Sequence, residues 1–407
     1  MKNKFFILCL VLIGILYVVL RLFDIESKMT FHLDQGLQLT EAKNMVDTRK
    51  ITLIGPMVTT KTFEGRAFFI GPFYTYILAV YGLLTAWNPL SVIVLASLVE
   101  LISTIIFLVW LGKKYSLQAS LMLFFVVATT PFLIEHSRFY WNPHFLLPLS
   151  YLLIYFLENK KYFLSAIILG LGFSFHYSAC LWSLPIFYYL LKNREKFQKY
   201  LIFIPGFILG DLPFFVFELK HQLYNFKTMF LVFTNTNKAS EISTYYFVFP
   251  FSAFLIFILI KNYKKHKIIF FSILLLITIF NIFYHFELAE TIPVGMPTGW
   301  NYPTQKRIIN LIKKNSCPVD FNIATTVGGD TRSYDLRYLL NINKCLPNSV
   351  DNYPKSSTIF LIAPPTRPPE TETVWEISSF KPFKVTEKII INDNVIFYRL
   401  DKTKAIL

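Results

Sequence analysis

Apolar runs recur along this 407-residue chain, at about 5–22, 67–87, 90–111, 117–134, 140–157, 162–175, 178–191, 200–217, 245–260 and 268–286. A bilayer core about 30 Å thick asks a helix for roughly 17 to 25 such residues. Hydrophobic side chains make up 54% of the chain and charged ones 16%, with a mean hydropathy of +0.48, so water cannot be the solvent for most of it. The expected class is an α-helical multi-pass membrane protein.

Charge sets the expected sidedness. A net charge of +15 would suit nucleic acid. The basic residues, however, gather in short clusters between apolar runs (Lys113 with Lys114, Lys160 with Lys161, Lys192 to Lys199, Lys261 to Lys267), as in cytoplasmic loops, and no nucleic-acid motif accompanies them. Ten crossings, with Lys2 and Lys4 inside, would strand all four clusters outside. If the run 67–87, interrupted by Gly71, Pro72 and Gly82, is a juxtamembrane or re-entrant hairpin in the first outer loop (23–89), the clusters return to the cytoplasm and about nine crossings remain. Segments 23–66, 135–143, an apex near His176, and 218–244 then face outward, as does the C-terminus. The opening MKNK and its apolar run are expected to stay as an anchor, since no small-residue cleavage site follows.

Residues 1–286 are thus expected to form a membrane domain and 287–407 a small extracytoplasmic α/β domain. In the latter, FNIATTV and STIFLIAPP read as buried strands, QKRIINLIKK as a helix, and Asp330 as the cap of a second helix, with Gly328 and Gly329 in a tight turn. Cys9 and Cys180 fall in apolar segments. Cys317 and Cys345 are expected either to pair, if this region meets an oxidising compartment, or to be unrelated.

The first outer loop is the densest source of chemistry. Asp34 follows the first apolar run by about a dozen residues, so its carboxylate is expected at the membrane–water boundary, although its place before LQLTEAKNMV also suits a helix N-cap. Glu64 is a possible second carboxylate, more simply an ion pair for Arg66; Lys61 and Arg66 are secondary cations. In EHSRFYWNPH, Arg138 clusters with His136, Trp141, Asn142 and His144, which also fits an interfacial belt. His176 sits at a hairpin apex, where packing is as good an account as contact with a ligand. Glu100 and Asp211 are carboxylates inside apolar runs; both suit helix-packing roles, and both keep a transporter or flippase of lipid-linked sugars in view.

Taken in order, these pieces resemble the C-type glycosyltransferases, and more narrowly bacterial members of the dolichyl-phosphate-mannose-protein mannosyltransferase family. They are Asp34 with Ala42; Gly71, Pro72, Tyr74 and Tyr76; Ser137, Arg138, Asn142 and Pro143; and His176 with Tyr177, over roughly residues 5–260. The resemblance implies transfer of a sugar from a polyprenyl-phosphate donor to a protein, lipid or glycan acceptor outside the cytoplasm, usually with inversion. Asp34 becomes the base. Arg138, His176, Glu64, Arg66, Asn142, His144 and Tyr74 become substrate-binding candidates. Arg suits a phosphate because its planar fork binds two oxygens. No nucleotide site is present and no cofactor is expected; the second outer loop offers only Glu135, which does not support a divalent metal.

Overall fold

The computed structural model describes residues 2–57, 65–195, 197–235, 245–283, 293, 295–314, 317 and 319–403. The chain is mostly helical, with one small mixed sheet near its C-terminus. The helices in the N-terminal two thirds are α1 (Lys2–Leu22), α2 (Ile25–Lys28), α3 (Leu33–Thr48), α4 (Phe73–Leu84), α5 (Pro89–Lys114), α6 (Leu117–Thr129), α7 (Pro131–His136), α8 (Leu146–Glu158), α9 (Tyr162–Phe175), α10 (Ser183–Lys192), α11 (Phe197–Leu201), α12 (Phe203–Gly210), α13 (Leu212–Lys220), α14 (Tyr224–Asn235), α15 (Tyr245–Asn262) and α16 (Lys267–Phe283).

Local chemistry explains where these helices begin and break. The Asn88 side chain accepts from the N–H groups of Leu90 and Ser91 while Pro89 occupies the first turn, which starts α5. Ser116 accepts from the Ala119 N–H to start α6. Pro131 lacks the N–H that would continue α6, so the run 117–134 divides there into α6 and α7. The run 200–217 divides further, into α11, α12 and α13, with Asp211 at the last break and Pro213 just inside α13. Runs 140–157 and 178–191 each open with a 3₁₀ segment, Asn142–Phe145 and Tyr177–Trp182. Among the described helices, Lys4–Leu22 and Pro89–Lys114 are both long and apolar enough to cross a membrane; α4, α6, α9 and parts of α15 and α16 are apolar but shorter. The run 67–87 yields only the 12-residue α4, entered through the Gly71–Pro72 turn.

That turn is tight. A Cβ on Gly71 would lie 2.1 Å from Ser174 Oγ and 2.5 Å from both carboxylate oxygens of Asp211, so only glycine allows α4 to seat on α9 and the α12–α13 break. At the other end of the bundle, just past the apolar run of α8, Glu158 ties four helices together. It accepts from Lys114 and Lys261, each at 2.8 Å, from Tyr189 at 2.6 Å, and from Tyr115.

The C-terminal region carries α17 (Tyr302–Lys314), α18 (Tyr334–Ile342) and α19 (Trp375–Ser378) with strands β1 (Phe321–Thr325), β2 (Thr358–Ala363), β3 (Phe383–Asn392) and β4 (Val395–Lys402). The sheet order is β1-β2-β4-β3; β1 and β2 run parallel and the other pairs antiparallel. Strands β1 and β2 are buried throughout, whereas edge strand β3 is buried only at Ile391 and otherwise alternates between exposed and half-buried residues. Asp330 accepts from the backbone N–H of Tyr334, the first residue of α18, and so caps that helix from three residues before its N-cap, Ser333. Cys317 and Cys345 form a disulfide with a Cα–Cα distance of 5.6 Å.

This α/β region is not a separate lobe. One face of the sheet has its own cluster, including Tyr353, Ile359, Leu361 and Phe380. The other face joins the main core, which runs without interruption from Trp300, Leu336 and Phe360 to Phe31, Leu39 and the bundle helices. Gln305 donates to the Phe31 carbonyl at 2.8 Å and Tyr338 to the Trp87 carbonyl at 2.7 Å. The closest approach is at Gly36, where a Cβ would sit 2.6 Å from the backbone of Tyr334 and Asp335.

Candidate functional site

Asp34 lies in the first turn of α3 rather than at its N-cap, which is His32; the Gln35 side chain accepts from the His32 N–H at 3.2 Å to fix the helix entry. The Asp34 side chain is exposed to solvent, with His32 and Asp330 within electrostatic reach. Desolvation raises its proton affinity above the ordinary carboxylate value; His32 opposes this and Asp330 adds to it. No described residue hydrogen-bonds it. The hydroxyl of Tyr74, fully buried on α4, also has no hydrogen-bond partner among the described residues and feels the charge of Asp34.

The C-terminal region flanks this position. The Cα of Gly328, at φ +106°, rests on the His32 ring, where a Cβ would be 3.1 Å from Nε2. Gly329 beside it is exposed and faces open space. Asp335 is buried under α3, where it accepts from Trp300 Nε1 at 3.2 Å and Gln305 Nε2 at 2.9 Å; burial pushes its carboxyl up.

Arg138 is not beside Asp34. It is buried, donates to the carbonyl of Leu20 at 3.0 Å, and its own carbonyl accepts from Thr30 N–H at 3.2 Å. Thus it closes the C-terminal end of α1, and the stretch Met29–Phe31 links it to Asp34. Two further cations share that place. Arg21 is fully buried, donates to the carbonyls of Ala128 and Val127 at 2.9 and 3.0 Å, and lies 3.5 Å over the Tyr17 ring. Lys28 is also buried, and burial together with the charge of Arg138 pushes its ammonium down. The structure therefore gathers three buried cations where α1 ends, of which only Arg138 stood out in the sequence.

The remaining candidates divide between two places. Asn142 donates to the Phe175 carbonyl at 2.7 Å, joining the second loop to the end of α9, and Tyr74 packs edge-on against Phe145 and Phe175. His176 follows Phe175 directly; its Nδ1 accepts from Ser178 N–H at 3.1 Å, and burial pushes its imidazole down to about 4. Of these three, Tyr74 lies within electrostatic reach of Asp34. His144 belongs elsewhere: with Glu100, Ser97, Ser137, Tyr140 and Trp141 it lines a small cleft. Tyr140 separates the two, donating to the Gln35 carbonyl at 3.0 Å. Glu100 lies within electrostatic reach of Arg21, a basic partner that sequence distance conceals. Arg66 is exposed, while Glu64 and Lys61 lie outside the described residues.

Sequence reasoning missed Glu41 and Gln38. They follow Asp34 at the i+4 and i+7 spacing that places residues on one helix face. Glu41 is exposed like Asp34, and desolvation raises it to about 7; Gln38 is buried with its Oε1 lacking a partner among the described residues. The helical period after Asp34 was the available signal. Among the described residues no three His, Cys, Asp or Glu side chains gather as a metal-binding set. No family model, no curated protein and no solved structure matches the chain.

Proposed function

We propose that this chain is an integral-membrane glycosyltransferase that moves a sugar from a polyprenyl-phosphate donor to a hydroxyl acceptor outside the cytoplasm, with Asp34 as the general base. The observation that carries the reading is the Asp34 carboxylate: solvent-accessible, unbonded among the described residues, raised in proton affinity, and one short buried stretch away from three cations. The acceptor oxygen attacks the anomeric carbon, the bond from that carbon to the phosphate oxygen breaks, and the acceptor proton passes to Asp34. The polyprenyl phosphate leaves with its negative charge, opposite Arg138, Arg21 and Lys28.

Membrane insertion is part of the same proposal. The two long apolar helices, the shorter apolar helices packed around them, and large exposed side chains such as Phe5, Leu12, Ile102, Ile106 and Phe280 support a multi-pass arrangement of about nine crossings. The Cys317–Cys345 disulfide favours an oxidising, extracytoplasmic site for the C-terminal region. Asp34→Asn removes the proton acceptor with little change of shape. It is expected to lower transfer from a purified polyprenyl-phosphate sugar at least about 100-fold while leaving donor binding in place. Transfer at the wild-type rate would sink the reading.

One observation speaks for a transporter or flippase instead. Asp211 is fully buried against Gly71 and Ser174 at a helix break, with no ion-pair partner among the described residues. Vesicle uptake of a lipid-linked sugar without covalent product, lost in Asp211→Asn but not in Asp34→Asn, would favour that alternative.

A further inference from the structure

The face of α3 that bears Asp34 is a stripe of hydrogen-bond acceptors without protein donors. Asp34, Gln38 and Glu41 recur at helical spacing over about 10 Å of axis. Neither carboxylate receives a hydrogen bond from any described residue. Between them the Oε1 of Gln38 is buried and unsatisfied, and the Tyr74 hydroxyl, also buried and unsatisfied, lies within electrostatic reach of Asp34. Buried polar groups are nearly always paired, so two orphaned ones, Gln38 Oε1 on this face and the Tyr74 hydroxyl near Asp34, next to two exposed carboxylates, point to a ligand that supplies the missing partners. Two carboxylates repel an anion, which sets this line apart from the cationic cluster where a donor phosphate belongs. A peptide backbone alternates N–H donors with carbonyl acceptors that the carboxylates would repel, whereas a saccharide carries hydroxyl donors at successive positions along its length.

We propose that this stripe is the acceptor groove and that it takes a neutral saccharide of at least two rings, the reacting hydroxyl at Asp34 and the distal ring held by Gln38 and Glu41. The inference rests on the reading of Asp34 as the base. It makes Glu41 a specificity-determining residue, remote from the bond that forms.

The test uses the purified full-length protein, a polyprenyl-phosphate hexose as donor, and release of polyprenyl phosphate as the readout. The acceptors are a methyl hexoside, a methyl dihexoside and a serine- and threonine-containing peptide. In the wild type, kcat/KM for the dihexoside is expected to exceed that for the hexoside about tenfold, which corresponds to about 1.4 kcal/mol. In Glu41→Gln the ratio is expected to fall to within about twofold of unity, because the isosteric amide keeps the shape but loses the charged acceptor. Equal use of both glycosides by the wild type, a preference undiminished in Glu41→Gln, or transfer to the peptide alone would each overturn the groove assignment. Asp34→Asn tests the base separately: if that variant still transfers at the wild-type rate, the base reading fails whatever Glu41 does.

Discussion

Tyr74 shows how a single buried atom separates structural from functional roles. Its ring packs edge-on against Phe145 and Phe175, but its hydroxyl contributes no hydrogen bond within the described protein. Replacing it by Phe keeps the ring and removes an unsatisfied polar atom, a change that is neutral or stabilising in a folded chain. Tyr74→Phe should therefore leave the melting temperature unchanged or raised, while a hydroxyl next to the base makes transfer fall about tenfold. A lowered melting temperature with full activity would contradict this. Asp34 should leave its mark in the pH profile. A base works unprotonated, and desolvation raises its proton affinity, so the acid limb of kcat/KM should fall off above the ordinary carboxylate value rather than at it. Asp34 drew attention in the sequence because it follows the first apolar run by about a dozen residues, in a loop rich in polar side chains. Glu41 did not, since its flanking residues look like a solvated helix surface, and nothing local betrays the desolvation that raises its carboxyl.

Between helices, the tie at Glu158 dominates. Burial by itself would raise this carboxyl, but hydrogen bonds from Lys114, Lys261, Tyr115 and Tyr189 hold it down to about 2. A carboxylate whose affinity for protons is depressed by folding stabilises the native state at neutral pH. That contribution disappears as pH falls from the ordinary carboxylate range toward 2. Glu158→Ala leaves two ammonium groups and two hydroxyls without their shared acceptor and should cost about 1 to 3 kcal/mol, read as a lower melting temperature in detergent at pH 7. The deficit should shrink on acidification. The legibility of the elements follows the same physics. Strand β2 announces itself as the apolar run Ile359–Ala363, β1 as a short segment of mostly apolar residues, and α18 through its Asp330 cap. Edge strand β3, with Lys384, Thr386 and Lys388 exposed, carries no such run, and its partner β4 is recognisable only once β2 is in place. The break at Pro131 was concealed because hydropathy does not register whether a proline ends a helix.

For the molecule as a whole, sidedness decides most. With Cys9 and Cys180 replaced by Ser and the Cys317–Cys345 disulfide intact, a cysteine at exposed Asn44 on α3 should react with an impermeant thiol reagent in whole cells. One at exposed Lys113, at the end of α5, should react only after lysis. The reverse pattern would place Asp34 in the cytoplasm, out of reach of an external acceptor. The sequence foretold an α/β region at the C-terminus and left open what it does there. Its union with the first loop depends on contacts such as Gln305 to Phe31, separated by 274 positions, which no local pattern carries.

The backbone contact at Gly36 has a further consequence. Because α3 and the start of α18 touch with no side chain between them, the surroundings of Asp34 are unfinished until residues beyond 330 arrive on the same side of the membrane. A ribosome builds this chain from the other end. Every nascent intermediate thus lacks Gly328, Asp330 and Asp335 beside this helix until the final stretch of polypeptide arrives.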